Sequence, residues 1–306
     1  MTPQERSMQA FGIEMPRQAR LAAAAIAFAG LASLPLAGLA QKTAEQGAAT
    51  AEESFEPQSG QPGKDVVWVP TPPEVVEAML EMAKVKEGDK LVDLGSGDGR
   101  IAIAAAKRGA QAMGIEYNPK MVEVSNRNAA REGVKNVRFV QGDLFETDFS
   151  DADVVTMYLL PTLNEKLRPQ LLKMKPGTRL ASHQFTMGNW RPDEKRTIGG
   201  HDALFWVVPA QVGGTWRVEP AGGGDPLQLE LKQEYQELEA RATWGDRPAV
   251  VSDVGLSGGA IRFAVADGRG SLYRFKGTAG HDGRMSGTVI GGDGREQPFT
   301  ASRTSP

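Results

Sequence analysis

Apolar and polar residues follow two different rhythms along this chain. Between about residues 66 and 212, short apolar runs alternate with stretches whose apolar positions recur three and four apart. Val75, Val76, Met79, Leu80 and Ala83 share one helical face, and Gly88 ends that helix. Its start is signalled by Thr71 as N-cap, Pro72 in the first turn and Glu74 closing a capping box. Helices are also expected over residues 101–108, stopped at Gly109, and 119–131, stopped at Gly133. Leu163, Leu167 and Leu171 lie on a further helix, interrupted at Pro169. Strands are expected at residues 91–94, 112–116, 137–140, 153–158 and 179–184, with the apolar run 203–208 closing the sheet. Alternation of this kind predicts a mostly parallel sheet covered by helices, an α/β fold.

After about residue 212 the period shortens to two. Leu227-Gln228-Leu229-Glu230-Leu231 and Ile261-Arg262-Phe263-Ala264-Val265 put apolar residues on one face and polar residues on the other. Short strands are expected at residues 216–218, 227–231, 238–243, 250–251, 261–265, 272–275, 285–289 and 299–302, with glycine turns between many of them. Residues 213–306 therefore read as a small antiparallel β domain, a meander or barrel-like, separate from the first.

The N-terminal stretch carries a different signal. Arg17 and Arg20 precede an uncharged segment, residues 21–40, rich in Ala and Leu and ending Gly38-Leu39-Ala40. This is the pattern of a secretory signal peptide with small residues at the cleavage site, and Met15 is an alternative start. An exported, periplasmic or secreted protein is expected; an uncleaved membrane anchor is the competing reading. Residues 41–65, with little to bury, are expected to be a flexible linker.

Composition narrows the partners. The net charge of -3 over 306 residues gives no electrostatic basis for a nucleic-acid partner. Cysteine is absent, which excludes disulfides and thiol nucleophiles, and the three histidines are far apart in sequence, so no metal centre is expected. The Asp- and Gly-rich clusters of the β domain read as turns, because they lack the alternating-carboxylate pattern of a calcium loop. Oligomeric state is left open.

The candidate chemistry begins at Leu91-Val92-Asp93-Leu94-Gly95-Ser96-Gly97-Asp98-Gly99-Arg100, a buried strand breaking into a glycine loop that opens a helix. Glycines at alternate positions let a ligand approach the backbone, and amides at the helix start face it. A dinucleotide fold requires G-x-G-x-x-G. The spacing here, D-x-G-x-G-x-G, resembles instead the first motif of S-adenosylmethionine (SAM) methyltransferases. That resemblance implies SAM as cofactor, held by Asp93, Gly95, Ser96, Gly97 and Gly99. Glu116, followed by Tyr117 at the end of the second strand, is the expected ribose ligand. Asp143 is expected to receive the adenine amino group, with Leu144 beside the ring.

The Asn/Asp-Pro-Pro-aromatic tetrad of adenine and amide methyltransferases is missing; Thr156-Met157-Tyr158-Leu159-Leu160-Pro161 stands in its place. Together with Val67-Trp68-Val69-Pro70-Thr71-Pro72, Pro176-Gly177-Thr178-Arg179 and Ser182-His183, this run resembles the archaeal protein-lysine methyltransferases and the related mitochondrial enzymes. The resemblance spans roughly residues 66–208. It implies a Rossmann-like, seven-strand methyltransferase sheet and in-line transfer to the ε-amine of a protein lysine. Tyr158 would accept from the amine or wall its channel; the alternative is a packed aromatic beside the cofactor. Trp68 and Pro70 would cover the cofactor pocket, or serve in core packing. His183, Asn164 and Trp190 are candidate substrate-side residues, each with a structural reading beside it. Two rivals remain: a small-molecule or lipid acceptor, and a non-catalytic envelope-binding protein working through the β domain. The relatives lack that domain and are not exported.

Overall fold

The computed structural model describes residues 55–63, 67–220, 226–280 and 282–305. The expected signal segment and the first part of the expected linker lie outside these residues. No described helix is long and apolar enough to cross a membrane.

The first half is a seven-stranded sheet. Its strands are β1 (Lys90–Leu94), β2 (Gln111–Glu116), β3 (Val137–Gln141), β4 (Val154–Met157), β5 (Arg179–His183), β6 (Glu194–Ile198) and β7 (His201–Val207). Between and before them run α1 (Pro73–Met82), α2 (Arg100–Lys107), α3 (Pro119–Arg131) and α4 (Pro161–Leu171). The spatial order is β3-β2-β1-β4-β5-β7-β6. Strands β1 to β5 are parallel, whereas β7 runs antiparallel to β5 and β6 antiparallel to β7. The order reverses between β1 and β4, so the ligand crevice of such a sheet lies outside their carboxyl ends. Val92, Leu94, Val155 and Met157 are buried there, which is why these strands read as continuous apolar runs.

Four local expectations are corrected. Thr71 does not cap α1: the helix starts at Pro73 after Pro72, without a side-chain cap. Two consecutive prolines have no N–H to be capped, and the Thr71 hydroxyl is used elsewhere. Helix α4 is not interrupted at Pro169 but runs through it to Leu171, held by buried Asn164, Leu167 and Leu171. The 203–208 run does not close the sheet, because β6 pairs outside β7. That edge strand, Glu-Lys-Arg-Thr-Ile, is exposed along most of its length and has no apolar pattern to reveal it. Lastly, ordered contacts begin before Val67. Arg127 donates to the Phe55 carbonyl (2.6 Å), and the Gly60 amide donates to the Trp68 carbonyl (2.8 Å). Residues 55–63 of the expected linker thus lie along α3.

The second half is a closed antiparallel barrel of eight strands. These are β8 (Gly214–Pro220), β9 (Leu227–Glu234), β10 (Glu237–Trp244), β11 (Arg247–Ser257), β12 (Ala260–Ala266), β13 (Leu272–Ala279), β14 (Arg284–Ile290) and β15 (Glu296–Ser305). Each pairs with its neighbour in sequence, and β15 returns to β8. The inward alternation buries Leu227, Leu229, Leu231 and a cluster of Phe263, Phe275 and Phe299. Sheet and barrel belong to one compact unit. They meet where the Gly258 turn packs on the Gly177 backbone, so close that a Cβ at Gly258 would stand 2.9 Å from the Gly177 Cα.

Candidate active site

The carboxyl ends of β1, β2 and β4 bring most of the candidate residues to one edge. Register sets this placement: Leu94 lies opposite Met157 and Ile115, so Gly95, Glu116 and Tyr158 emerge side by side. Gly95 and Ser96 donate to the Ile115 carbonyl (2.9 and 3.0 Å), which turns the glycine loop toward β2. Gly97 has φ +55, and a Cβ there would stand 2.4 Å from the Trp68 indole nitrogen. Only glycine satisfies both the dihedral and the approach. Trp68 therefore lies on the glycine loop, on a segment that Arg100 holds by donating to the Thr71 carbonyl (2.9 Å). Pro70 is half-buried on the same segment.

Glu116 braces the loop. One carboxylate oxygen accepts from the Gly97 amide (2.9 Å) and the other from the Asn118 amide (2.9 Å). Each oxygen retains capacity for a further donor such as a hydroxyl. Asp93 is buried below, accepting from the Thr156 hydroxyl at 2.7 Å. Burial pushes its carboxyl up to about 7; the Thr156 bond opposes this, and the Asp98 and Glu116 charges add to it. Asp143 follows β3 and accepts from the Phe145 amide (2.9 Å), shaping its own turn. Leu144 is half-buried beside it and Tyr117 is exposed at the rim. The Ser96 hydroxyl is buried without a protein partner, an orphan polar atom within the loop. A tight glycine cradle, a carboxylate with spare acceptor capacity and this orphan hydroxyl together fit a polar nucleoside-type cofactor.

On the acceptor side, Tyr158 lies over His183, ring centroids 3.9 Å apart, and beside Phe185 at 6.1 Å and 20°. Burial raises the Tyr158 phenol above its usual value, so it stays protonated. His183 is fully buried; its Nδ1 pairs with the Thr71 hydroxyl (3.1 Å) and its Nε2 with His201 Nδ1 (3.1 Å). Burial first, then the neighbouring His201, lowers His183 to about 4. With both ring nitrogens occupied, His183 supports Tyr158 rather than facing an acceptor.

Two candidate substrate contacts are corrected. Asn164 is fully buried and donates to the carbonyls of Phe185 (3.1 Å) and Thr186 (3.2 Å), so it fastens a loop. Trp190 is also fully buried, between Trp206 and Tyr235, with its N–H committed to Gln236 (2.8 Å). Sequence reasoning missed Thr156, Phe185 and His201. Thr156 alone left a signal, a polar residue within a buried strand.

Sheet order and glycine edge are those of a SAM-dependent methyltransferase of the seven-strand type. The ANTKMT methyltransferase domain family matches residues 93–194. A protein-lysine N-methyltransferase of Saccharolobus islandicus is 47% identical over 133 residues, covering 42% of this chain and 83% of that protein. The chain belongs to the family of that archaeal methyltransferase. The adenine nucleotide translocase lysine N-methyltransferase of Mus musculus is 37% identical over 120 residues, 38% of this chain and 52% of the mouse protein. The match thus spans about half the length of the mouse relative. An RNA methyltransferase from Salinibacter ruber, solved with S-adenosyl-L-homocysteine, is 50% identical, covering 47% of this chain and 96% of that one, with TM-score 0.46.

Proposed function

We propose that this protein transfers the methyl group of SAM to the ε-amine of a protein lysine. The observation that carries the reading is the register that sets Tyr158 beside Gly95, joining an aromatic acceptor wall to the cofactor loop. The names of the archaeal and mouse relatives support lysine as acceptor.

In this reading Glu116 holds the ribose, Asp143 and Leu144 meet the adenine, and Gly95, Ser96, Gly97 and Gly99 line the loop, with Asp93 beneath it and Tyr117 at its rim. Bound SAM supplies a methyl carbon on a positively charged sulfur, already activated for displacement. The protein's part is alignment and exclusion of water. Trp68 and Pro70 cover the loop. Tyr158, kept as a neutral phenol, accepts from the amine after its ammonium proton has left to solvent, and the half-buried aromatic wall favours that uncharged amine. His183, fixed between Thr71 and His201, sets the tilt of Tyr158.

The test is calorimetric titration of SAM into wild type and Glu116→Ala, with transfer of labelled methyl to lysine peptides read after hydrolysis as N-methyl-lysine. The reading expects binding that the variant loses, and label on lysine alone. Label on lipid or another residue would overturn it.

We also propose export, supported by Arg17 and Arg20 ahead of the uncharged segment 21–40. N-terminal sequencing after cell fractionation checks it: an intact chain in the cytosol would exclude cleavage after Ala40.

A further inference from the structure

The barrel reaches the acceptor side of the sheet through one hairpin. Glu234 pairs with Glu237, so β9 and β10 are joined by the two residues Tyr235 and Gln236. In such a loop a first residue at positive φ is ordinarily glycine. Here Tyr235 takes it, at φ 55. Its contacts leave the barrel. The ring stacks on Trp190 at 5.7 Å and 14°, and its hydroxyl donates to Asn189 Oδ1 at 2.8 Å. Gln236 accepts from the Trp190 indole (2.8 Å) and donates to the Arg191 carbonyl (2.9 Å).

The segment gripped in this way, residues 184–191, is the one that carries Phe185. It begins with a second strained residue, Gln184 at φ 68, whose amide donates to the Asp202 carbonyl (2.6 Å) and whose side chain accepts from the Asp202 amide (3.2 Å). That kink returns the chain from β5 toward β4. Asn164 and Ser182 donate to the Phe185 carbonyl (3.1 and 2.8 Å), and Arg168 donates to Met187 and Asn189. A strained residue at the start of the loop, Gln184, and another in the hairpin that grips its far end, Tyr235, mark a segment whose position matters.

We propose that Tyr235 is a positioning residue for methyl transfer: the barrel clamps loop 184–191 so that Phe185 stays against Tyr158. The proposal rests on the lysine-methyltransferase reading for its chemistry. On this account the barrel is a working part of the transferase, acting on the acceptor side and not on the cofactor.

The test uses the full chain with Tyr235→Gly, which gives the hairpin its preferred residue while deleting the clamp, and Tyr235→Phe, which keeps the stack. Hydrogen exchange of amides 184–191 is expected to rise about ten-fold in Y235G, the size of a lost aromatic stack and hydrogen bond. SAM affinity by calorimetry should stay within about two-fold, because the clamp does not touch the glycine loop. KM for lysine peptides should rise more than kcat falls, and Y235F should restore most of both. Gln236→Ala is the second variant, expected to move the same readouts less. Unchanged exchange of the loop in Y235G overturns the clamp, as does faster exchange with unaltered transfer. Absence of transfer to lysine by wild type would overturn the lysine reading instead, leaving the exchange result to decide the clamp.

Discussion

Replacing Asp93 by Asn should make the protein more stable at neutral and alkaline pH, by an amount set by its burial. Asp93 is 2% exposed, its carboxylate accepts from the Thr156 hydroxyl, and its carboxyl is pushed from 3.8 up to about 7. Between these values the native state keeps a proton that the unfolded chain has released. The native state therefore binds more protons, and stability falls as pH rises through this window. With these two pKa values, the cost relative to a neutral side chain is roughly 2 kcal/mol at pH 5 and roughly 4 kcal/mol at pH 8. Asn is nearly isosteric, still accepts from Thr156 and carries no charge. The D93N advantage over wild type should thus grow by roughly 2–3 kcal/mol from pH 5 to pH 8. Urea unfolding at a series of pH values, followed by circular dichroism and tryptophan fluorescence, measures this. Parallel stability curves for the two proteins would refute the reasoning, because Asp93 would then be ionised in the native state at little cost. The same variant should bind SAM more weakly if the proposed site is right, so stability would rise where function falls.

Gly97→Ala should cost about 1–3 kcal/mol, from a non-glycine residue at φ +55 and a Cβ 2.4 Å from the Trp68 indole. Adding Trp68→Ala should recover the steric part and not the backbone part; a G97A variant as stable as wild type would mean that Trp68 does not sit on the loop. His183, lowered to about 4, should remain neutral well below the usual histidine range. The unfolded chain takes up that proton first, so stability is lost as pH falls from 6.5 toward 4, and His183→Gln should remove this loss. Imidazole resonances of His183 followed by NMR decide the point: a midpoint near 6.5 would contradict it.

The elements that sequence reasoning located were those whose signal is local. Helix α3 begins at Pro119 and ends at Arg131 as proline and glycine punctuation predict. Most barrel strands were legible because one buried face imposes alternation on them, whereas β11, marked only at residues 250–251, buries little besides Leu256. Strand β6 was not, since its place at a sheet edge demands no apolar residue. The gathering of the glycine loop and Glu116 at one edge was legible for a similar reason: glycine spacing and a strand-end carboxylate are local signals. The acceptor side is assembled from segments distant in sequence, Thr71 with His183, His183 with His201 and Trp190 with Gln236. No spacing rule joins such pairs. Asn164 and Trp190 were therefore marked as residues of interest but assigned to a substrate, when their partners are loop carbonyls and the barrel.

The barrel's own construction limits what it can contribute. An eight-strand barrel of this kind has an interior about wide enough for its side chains, or for one small ligand. Here Phe263 stacks on Phe275 at 4.6 Å and Phe299 meets Phe275 edge-on at 5.3 Å, so aromatic side chains occupy the middle. Outward positions such as Gln228, Glu230 and Lys232 are exposed and polar. What the barrel does offer is its hairpin tips, and two of them, at Gly258 and Tyr235, rest on the turn before β5 and on loop 184–191. The first contact is backbone on backbone and can only fix the docking. The second grips side chains of the loop beside Tyr158, and so it is through the Tyr235 hairpin that the barrel reaches the acceptor side.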